Sequence, residues 1–179
     1  MIGLDILLLI FVILFGVVGS MRGWAKELLV TFAVILALFI SNLLERFVPF
    51  IRDNLSAGNA DQTLFWIRTI ILLLMVIFGY QTPNIPKLAG SNRFVRERLQ
   101  DVLLGLFLGA FNGFLIFGTL WSYLNDAKYP FSIIQAPPAG PAGDFARQLI
   151  YYLPPQWLGT PTIYFAVAIA FAFVIVVFI

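Results

Sequence analysis

The sequence predicts an all-α, polytopic transmembrane helical bundle, with about five transmembrane helices plus short interfacial helices. Three observations carry that prediction. Of the 179 residues, 61% are hydrophobic and 11% charged, whereas a soluble domain needs about 25% charged residues to coat its core. The mean hydropathy is +0.96. Five apolar runs, at 2–20, 25–44, 64–80, 102–124 and 161–179, reach or approach the roughly 20 residues that cross a bilayer. None alternates with period two as a barrel strand would, and a helix satisfies its own backbone in lipid.

The first run opens with Asp5, a carboxylate suited to the positive end of a helix dipole. It lacks the basic n-region of a signal peptide and is too long for an h-region, so Gly19–Ser20 is not taken as a cleavage site. Positions 17–28 then read VVGSMRGWAKEL. Gly19, Ser20 and Gly23 are expected to permit a tight turn and close approach of the first two helices, and Gly16 is counted with Gly19 and Gly23 as a helix-packing residue. Arg22 and Lys26 hold that turn on the cytoplasmic side, Trp24 sits at headgroup level, and Glu27 pairs with Arg22 or Lys26.

Residues 44–53, LERFVPFIRD, read as an interfacial segment around Pro49. In the third helix Arg68 is expected to snorkel to the headgroups beside Trp66. The alternative is an ion pair with Asp61 or with an acid on another helix. In the fourth helix, LLGLFLGAFNGFLIFG sets Gly105, Gly109 and Gly113 four apart on one face, a glycine zipper, with Asn112 beside it as a donor across a helix pair. Matching small-residue faces are Ala33, Ala37 and Ser41 on the second helix, and Ala166/Ala170 or Ala168/Ala172 on the fifth. The first reading of these faces is packing within one bundle; the second is a dimer or contact with other subunits.

After the fourth helix, PPAGPAG marks a breaker-rich kink. Asp144 is expected to cap a short surface helix with Phe145, Leu149 and Tyr152 at helical spacing, and Tyr151, Tyr152 and Trp157 as interface anchors. The last run ends with the sequence at VVFI, so no soluble tail is expected beyond it.

Six basic residues, Arg22, Lys26, Lys87, Arg93, Arg96 and Arg98, lie in the first and third connections. Four, Arg46, Arg52, Lys128 and Arg147, lie in the second and fourth. The positive-inside rule therefore puts the N-terminus outside and the C-terminus in the cytoplasm.

Cys and His are both absent, which removes thiol chemistry, disulfides, Cys/His zinc sites, His-ligated haem and His-based triads. No cofactor or metal is expected. A net charge of +2 with pI near 9.1 is no nucleic-acid footprint. Ser41, Thr69 and Thr119 are read as having no acid or base at helical spacing, so no enzyme is expected.

The first hairpin, LDILLLIFVILFGVVGSMRGWAKELL, resembles the opening of the colicin V production (CvpA) family through Asp5, Gly16, Gly19, Arg22, Gly23 and Glu27. The stretch RLQDVLLGLFLGAFNGFLI, with Gly105, Gly109 and Gly113, is similar to the family's second signature. The resemblance implies a four-helix bacterial inner-membrane region over residues 1–125. To this the chain adds an extracytoplasmic loop with an interfacial helix at 126–160 and a further transmembrane helix at 161–179. It also implies a role in colicin export or envelope maintenance, with no catalytic residue to transfer.

The function expected is thus a non-enzymatic structural or envelope/export-related role acting through helix packing. The alternative is an accessory structural subunit of a large respiratory or photosynthetic membrane complex. A small transporter or channel ranks third, because few ionisable groups fall within the runs. Expected partners are membrane lipids and either further copies of the chain, as a homo-oligomer, or the subunits of a larger complex.

Overall fold

A computed structural model describes residues 3–48, 60–81 and 95–178. Those residues form helices and connecting turns, with no strand among them: α1 (Leu4–Arg22), α2 (Trp24–Phe47), α3 (Ala60–Tyr80), α4 (Val95–Asp126), α5 (Pro141–Ile150), α6 (Pro154–Trp157) and α7 (Thr162–Phe178). Helices α1 to α4 are each long and apolar enough to cross a membrane. A fifth crossing is counted when the α5–α6 region and α7, bent by 58° to one another, are taken as one span. At 1.5 Å per residue, α1 is about 28 Å long and α4 about 48 Å. The charged start of α4, VRERLQD, therefore extends past an apolar layer about 30 Å thick.

Helix α4 is the hub. It packs along α1 more extensively than any other helix pair does, and it also touches α2, α3 and α6. Successive residue pairings give the directions. Gly19 meets Gly105 and Phe11 meets Gly113, so α1 and α4 are antiparallel. Glu27 meets Asn112 on the parallel α2–α4 pair, and Glu45 meets Arg68 on the antiparallel α2–α3 pair. The core between them is built from Val30, Val34, Ala37, Leu72, Leu115 and Ile163, each essentially inaccessible.

One residue makes the first turn. Gly23 has φ +86° and ψ 155°, a backbone region that side chains other than hydrogen rarely adopt. It serves as both C-cap of α1 and N-cap of α2 and supplies no capping side chain. The cap for α2 comes instead from α4, where Asp101 Oδ1 accepts the Trp24 backbone N–H at 3.2 Å.

Helix α4 ends differently, at Lys128 and Tyr129 with φ +55° and +54°, unusual for residues with a Cβ. The Tyr129 backbone N–H donates to Leu124 O, and its hydroxyl accepts from Trp121 Nε1 at 3.1 Å. Burial raises the Tyr129 phenol pKa, against the Trp121 hydrogen bond.

The segment after α4 folds back over the same end of the bundle. Ala146 and Leu153 pack against Leu8 and Trp121, with Leu4, Leu149 and Ile150 around them. The Pro154 ring sits where a side chain on Gly118 would stand. One sequence expectation changes here. Helix α5 begins at Pro141 with Gly140 as N-cap, and Asp144 lies inside the first turn paired with Arg147 rather than capping it. Phe145 and Tyr152 are exposed on the outer face of this surface helix, and the face turned inward is Ala146, Leu149 and Leu153. The expected interfacial segment 44–53 begins as the last turn of α2; its residues 49–53 lie outside the described residues.

Candidate functional site

In a bundle this apolar, the informative residues are the polar ones inside it, and they gather at two ends. At the end holding the α1–α2 turn, Glu27 is wholly buried. Arg22 Nη1 donates to its Oε1 at 2.6 Å across the turn. The Arg22 guanidinium also lies 4.2 Å from the Tyr80 ring centre and donates to the Tyr80 carbonyl at 3.3 Å. From α4, Asn112 Nδ2 donates to Glu27 Oε2 at 2.9 Å and to the Glu27 carbonyl at 2.8 Å. Asn112 Oδ1 accepts from Thr31 Oγ1 at 2.7 Å. Both atoms facing Nδ2 are pure acceptors, which fixes the orientation of the amide. Four helices thus meet on one carboxylate, and its charge is matched by a single guanidinium.

Beside this network lies the closest backbone contact of the molecule's main helix pair. A Cβ built on Gly19 would fall 2.7 Å from Gly109 Cα, and one on Gly109 would fall 2.8 Å from Gly19 Cα. Gly16 faces Ala110, Gly105 faces Gly19, and Gly113 faces Phe11 and Phe15. The α4 stripe therefore meets α1. The sequence offered α2 and the last helix as its match, and expected Gly19, Ser20 and Gly23 to bring α1 against α2; Gly23 makes the turn, but the close approach is the α1–α4 pairing. Ala33 instead packs against Gly79 of α3, where a Cβ on that glycine would come within 2.9 Å. Ala37 is core, and Ser41 is buried at the opposite end. On α7, Ala170 is buried while Ala168 and Ala172 are exposed.

At that opposite end, α2 and α4 finish and α3 begins. Arg68 Nε and Nη2 donate to the two carboxylate oxygens of Glu45 at 2.6 and 2.7 Å, and Nη1 donates to Asp126 Oδ2 at 3.0 Å. The expectation that Arg68 snorkels is corrected: acids on two other helices hold it. Asp61 pairs with Lys128 instead, at 3.0 Å. Around the triad is a cleft of about 190 Å³, lined also by Ser41, Asn42, Ser122, Tyr123 and Gln156. The hydroxyls of Ser41, Ser122 and Tyr123 are buried there with no hydrogen-bond partner among the described residues. Ser41 stands one helical turn before Glu45, so the sequence reading that no acid lies at helical spacing from it is also corrected. Both oxygens of that carboxylate are taken by Arg68.

Trp24 and Lys26 are part-exposed beside the first turn, and Trp157 is 43% exposed with its Nε1 donating to Tyr152 O. Lys87 and Arg93 lie outside the described residues. Among the described residues, no three Asp, Glu, His or Cys side chains assemble a metal-binding group.

Sequence reasoning passed over Glu45, Asp101 and Asp126 as partners; for Glu27 it gave the pair with Arg22 and missed Asn112. Signals for Glu45 and Asp126 were present. Alternating crossings put the end of the second run, the start of the third and the end of the fourth at one membrane face. The acids nearest Arg68 at that level are Glu45, Asp61 and Asp126.

This architecture defines a multi-pass helical membrane protein whose interior polarity is concentrated at the two ends of the bundle. The chain belongs to the colicin V production protein family, whose model matches residues 4–133. That match covers α1 to α4 and stops before the α5–α7 region. No curated protein and no solved structure matches the chain significantly.

Proposed function

We propose that this protein is a non-enzymatic component of the bacterial inner membrane, with an envelope or export-related role that acts through helix packing. The observation that carries this reading is the use made of Glu27 and Asn112, both wholly buried. Arg22, Glu27, Thr31 and Asn112 bond one another across helices, and a group saturated in this way positions helices rather than reacting. The Gly105/Gly109/Gly113 stripe acts with them as a glycine zipper against α1.

The outward face of α1, with Ile6, Leu9, Ile13 and Val17 exposed, meets membrane lipid or a partner helix. The partners are lipids together with a second copy of the chain or the subunits of a larger assembly. The first connection lies in the cytoplasm and the N-terminus outside, as the distribution of Lys and Arg supports.

The test is gentle solubilisation of native membranes, native gel separation and mass spectrometry of the band that holds the chain. Migration alone or as a small homo-oligomer is the expected result. Stoichiometric co-migration with the subunits of a large respiratory or photosynthetic complex would replace this reading with that of an accessory subunit.

A further inference from the structure

We propose that the cleft around Arg68 binds a primary ammonium group, supplied by the headgroup of an aminophospholipid or by a free small amine. The inference rests on the cleft's own residues and stands apart from the functional reading above.

Charge is the first reason. Among the described residues lining the cleft, Glu45 and Asp126 set two carboxylates against the single guanidinium of Arg68. Outside the lining, Lys128 pairs with Asp61 at 3.0 Å, and Arg46, which keeps its charge, is turned to the neutral Tyr164 hydroxyl on α7 at 3.3 Å. Within the cleft lining itself the carboxylates outnumber the guanidinium by one, and a cation placed there offsets the difference.

Unused hydrogen-bonding capacity is the second reason. Ser41, Ser122 and Tyr123 are 5%, 1% and 4% exposed, line the cleft, and have hydroxyls with no partner among the described residues. Buried polar groups left unpaired are costly, more so in a molecule surrounded by lipid, so a ligand that satisfies them is stabilised there. An ammonium group carries three N–H donors and no acceptor, which suits carboxylate and hydroxyl oxygens. A quaternary amine has no N–H to give, and a phosphate would meet the surplus carboxylate.

Size and position complete the case. About 190 Å³ is several times the roughly 30 Å³ of a water in the liquid, so the cleft admits an aminoethyl group as well as a bare ion. It lies where α2 and α4 end and α3 begins, at the level of the charged helix termini, where lipid headgroups reside.

The test uses the full chain purified in detergent and offered phosphatidylethanolamine or phosphatidylcholine. Retained lipid is read by native mass spectrometry, and thermal stability is followed with ethanolamine, choline or sodium. The expected result is about a tenfold preference for phosphatidylethanolamine over phosphatidylcholine. Ser122→Ala and Asp126→Asn should each cut that preference by about three- to tenfold, with far-UV circular dichroism and lipid-free melting showing both variants folded. Stabilisation by ethanolamine as well supports the site and identifies free amine as a source; an effect of the lipid alone supports it with the lipid as source. Equal retention of the two lipids, equal stabilisation by sodium or choline, or an unchanged preference in either folded variant would overturn it.

Discussion

The two ends of the bundle use the same pair of residue types to different effect. At each, an arginine meets a glutamate at 2.6 Å. Glu27, however, is fully inaccessible, and the groups around it are matched: Asn112 donates twice, Thr31 completes the amide, and Tyr80 covers the guanidinium. The Glu45 side chain is 26% exposed, a second carboxylate competes for its arginine, and three neighbouring hydroxyls are unmatched. An ion pair in a membrane bundle is therefore defined by what else faces it. Where every donor finds an acceptor in low dielectric, the pair fixes helices in register. Where acceptors are left over, the same pair becomes the wall of a cleft.

The comparison is broken most severely at Glu27. Glu27→Ala strands Arg22 and Asn112 inside the bundle and should cost about 3–5 kcal/mol, while Glu27→Gln, which keeps a partner for Asn112, should cost less. Denaturant unfolding in micelles measures both, and wild-type stability of Glu27→Ala would mean that the closed network holds nothing together.

Next in size is the glycine contact that lets α1 come close enough to α4 for this network to form. Gly109→Leu must push the two backbones apart and should destabilise by about 1–3 kcal/mol or more. Leu106→Ala, at a half-exposed position of the same helix, should stay within about 0.5 kcal/mol in the same assay. Equal tolerance of the two would show that close approach is not what stabilises the pair.

At the open end, Arg68→Lys loses the two-pronged contact with Glu45 but keeps its charge, and should cost about 1 kcal/mol, well below the Glu27→Ala effect. A melting shift as large as that of Glu27→Ala would erase the distinction between the ends. The smallest change is expected at Lys128, whose pair with Asp61 is 82% and 51% exposed. Lys128→Ala should leave unfolding within about 0.5 kcal/mol of wild type, since water already screens that pair.

Much of this was legible in the chain because lipid imposes a one-dimensional rule. A run of about 20 apolar residues has to become a helix, so the spans, the Gly23 turn and the face shared by Gly105, Gly109 and Gly113 follow from composition and spacing. The Arg22–Glu27 pair was legible for the same reason, since its members lie five residues apart across that turn. Membership of the family was also carried by two local signatures.

Choice among equivalent partners was not. Small-residue faces on α1, α2 and α7 all suit a glycine stripe, and in lipid no hydrophobic gain favours one over another. The docking on α1 comes with Asn112 reaching Glu27 and Thr31 on α2, the Tyr80 hydroxyl reaching Glu27, and Asp101 reaching the bare start of α2. Arg68 illustrates the same limit. Its charge and depth were plain from the sequence, but whether it reached outward to headgroups or inward to Glu45 and Asp126 depended on residues 23 and 58 positions away arriving at one point. The sequence by itself determined which segments are helices, roughly how long they are, and which faces are small or polar, because those depend on neighbours within a turn or two. Tertiary structure alone decided which faces meet and which polar groups are left unpaired, because only simultaneous packing of all the helices selects among contacts that are locally alike.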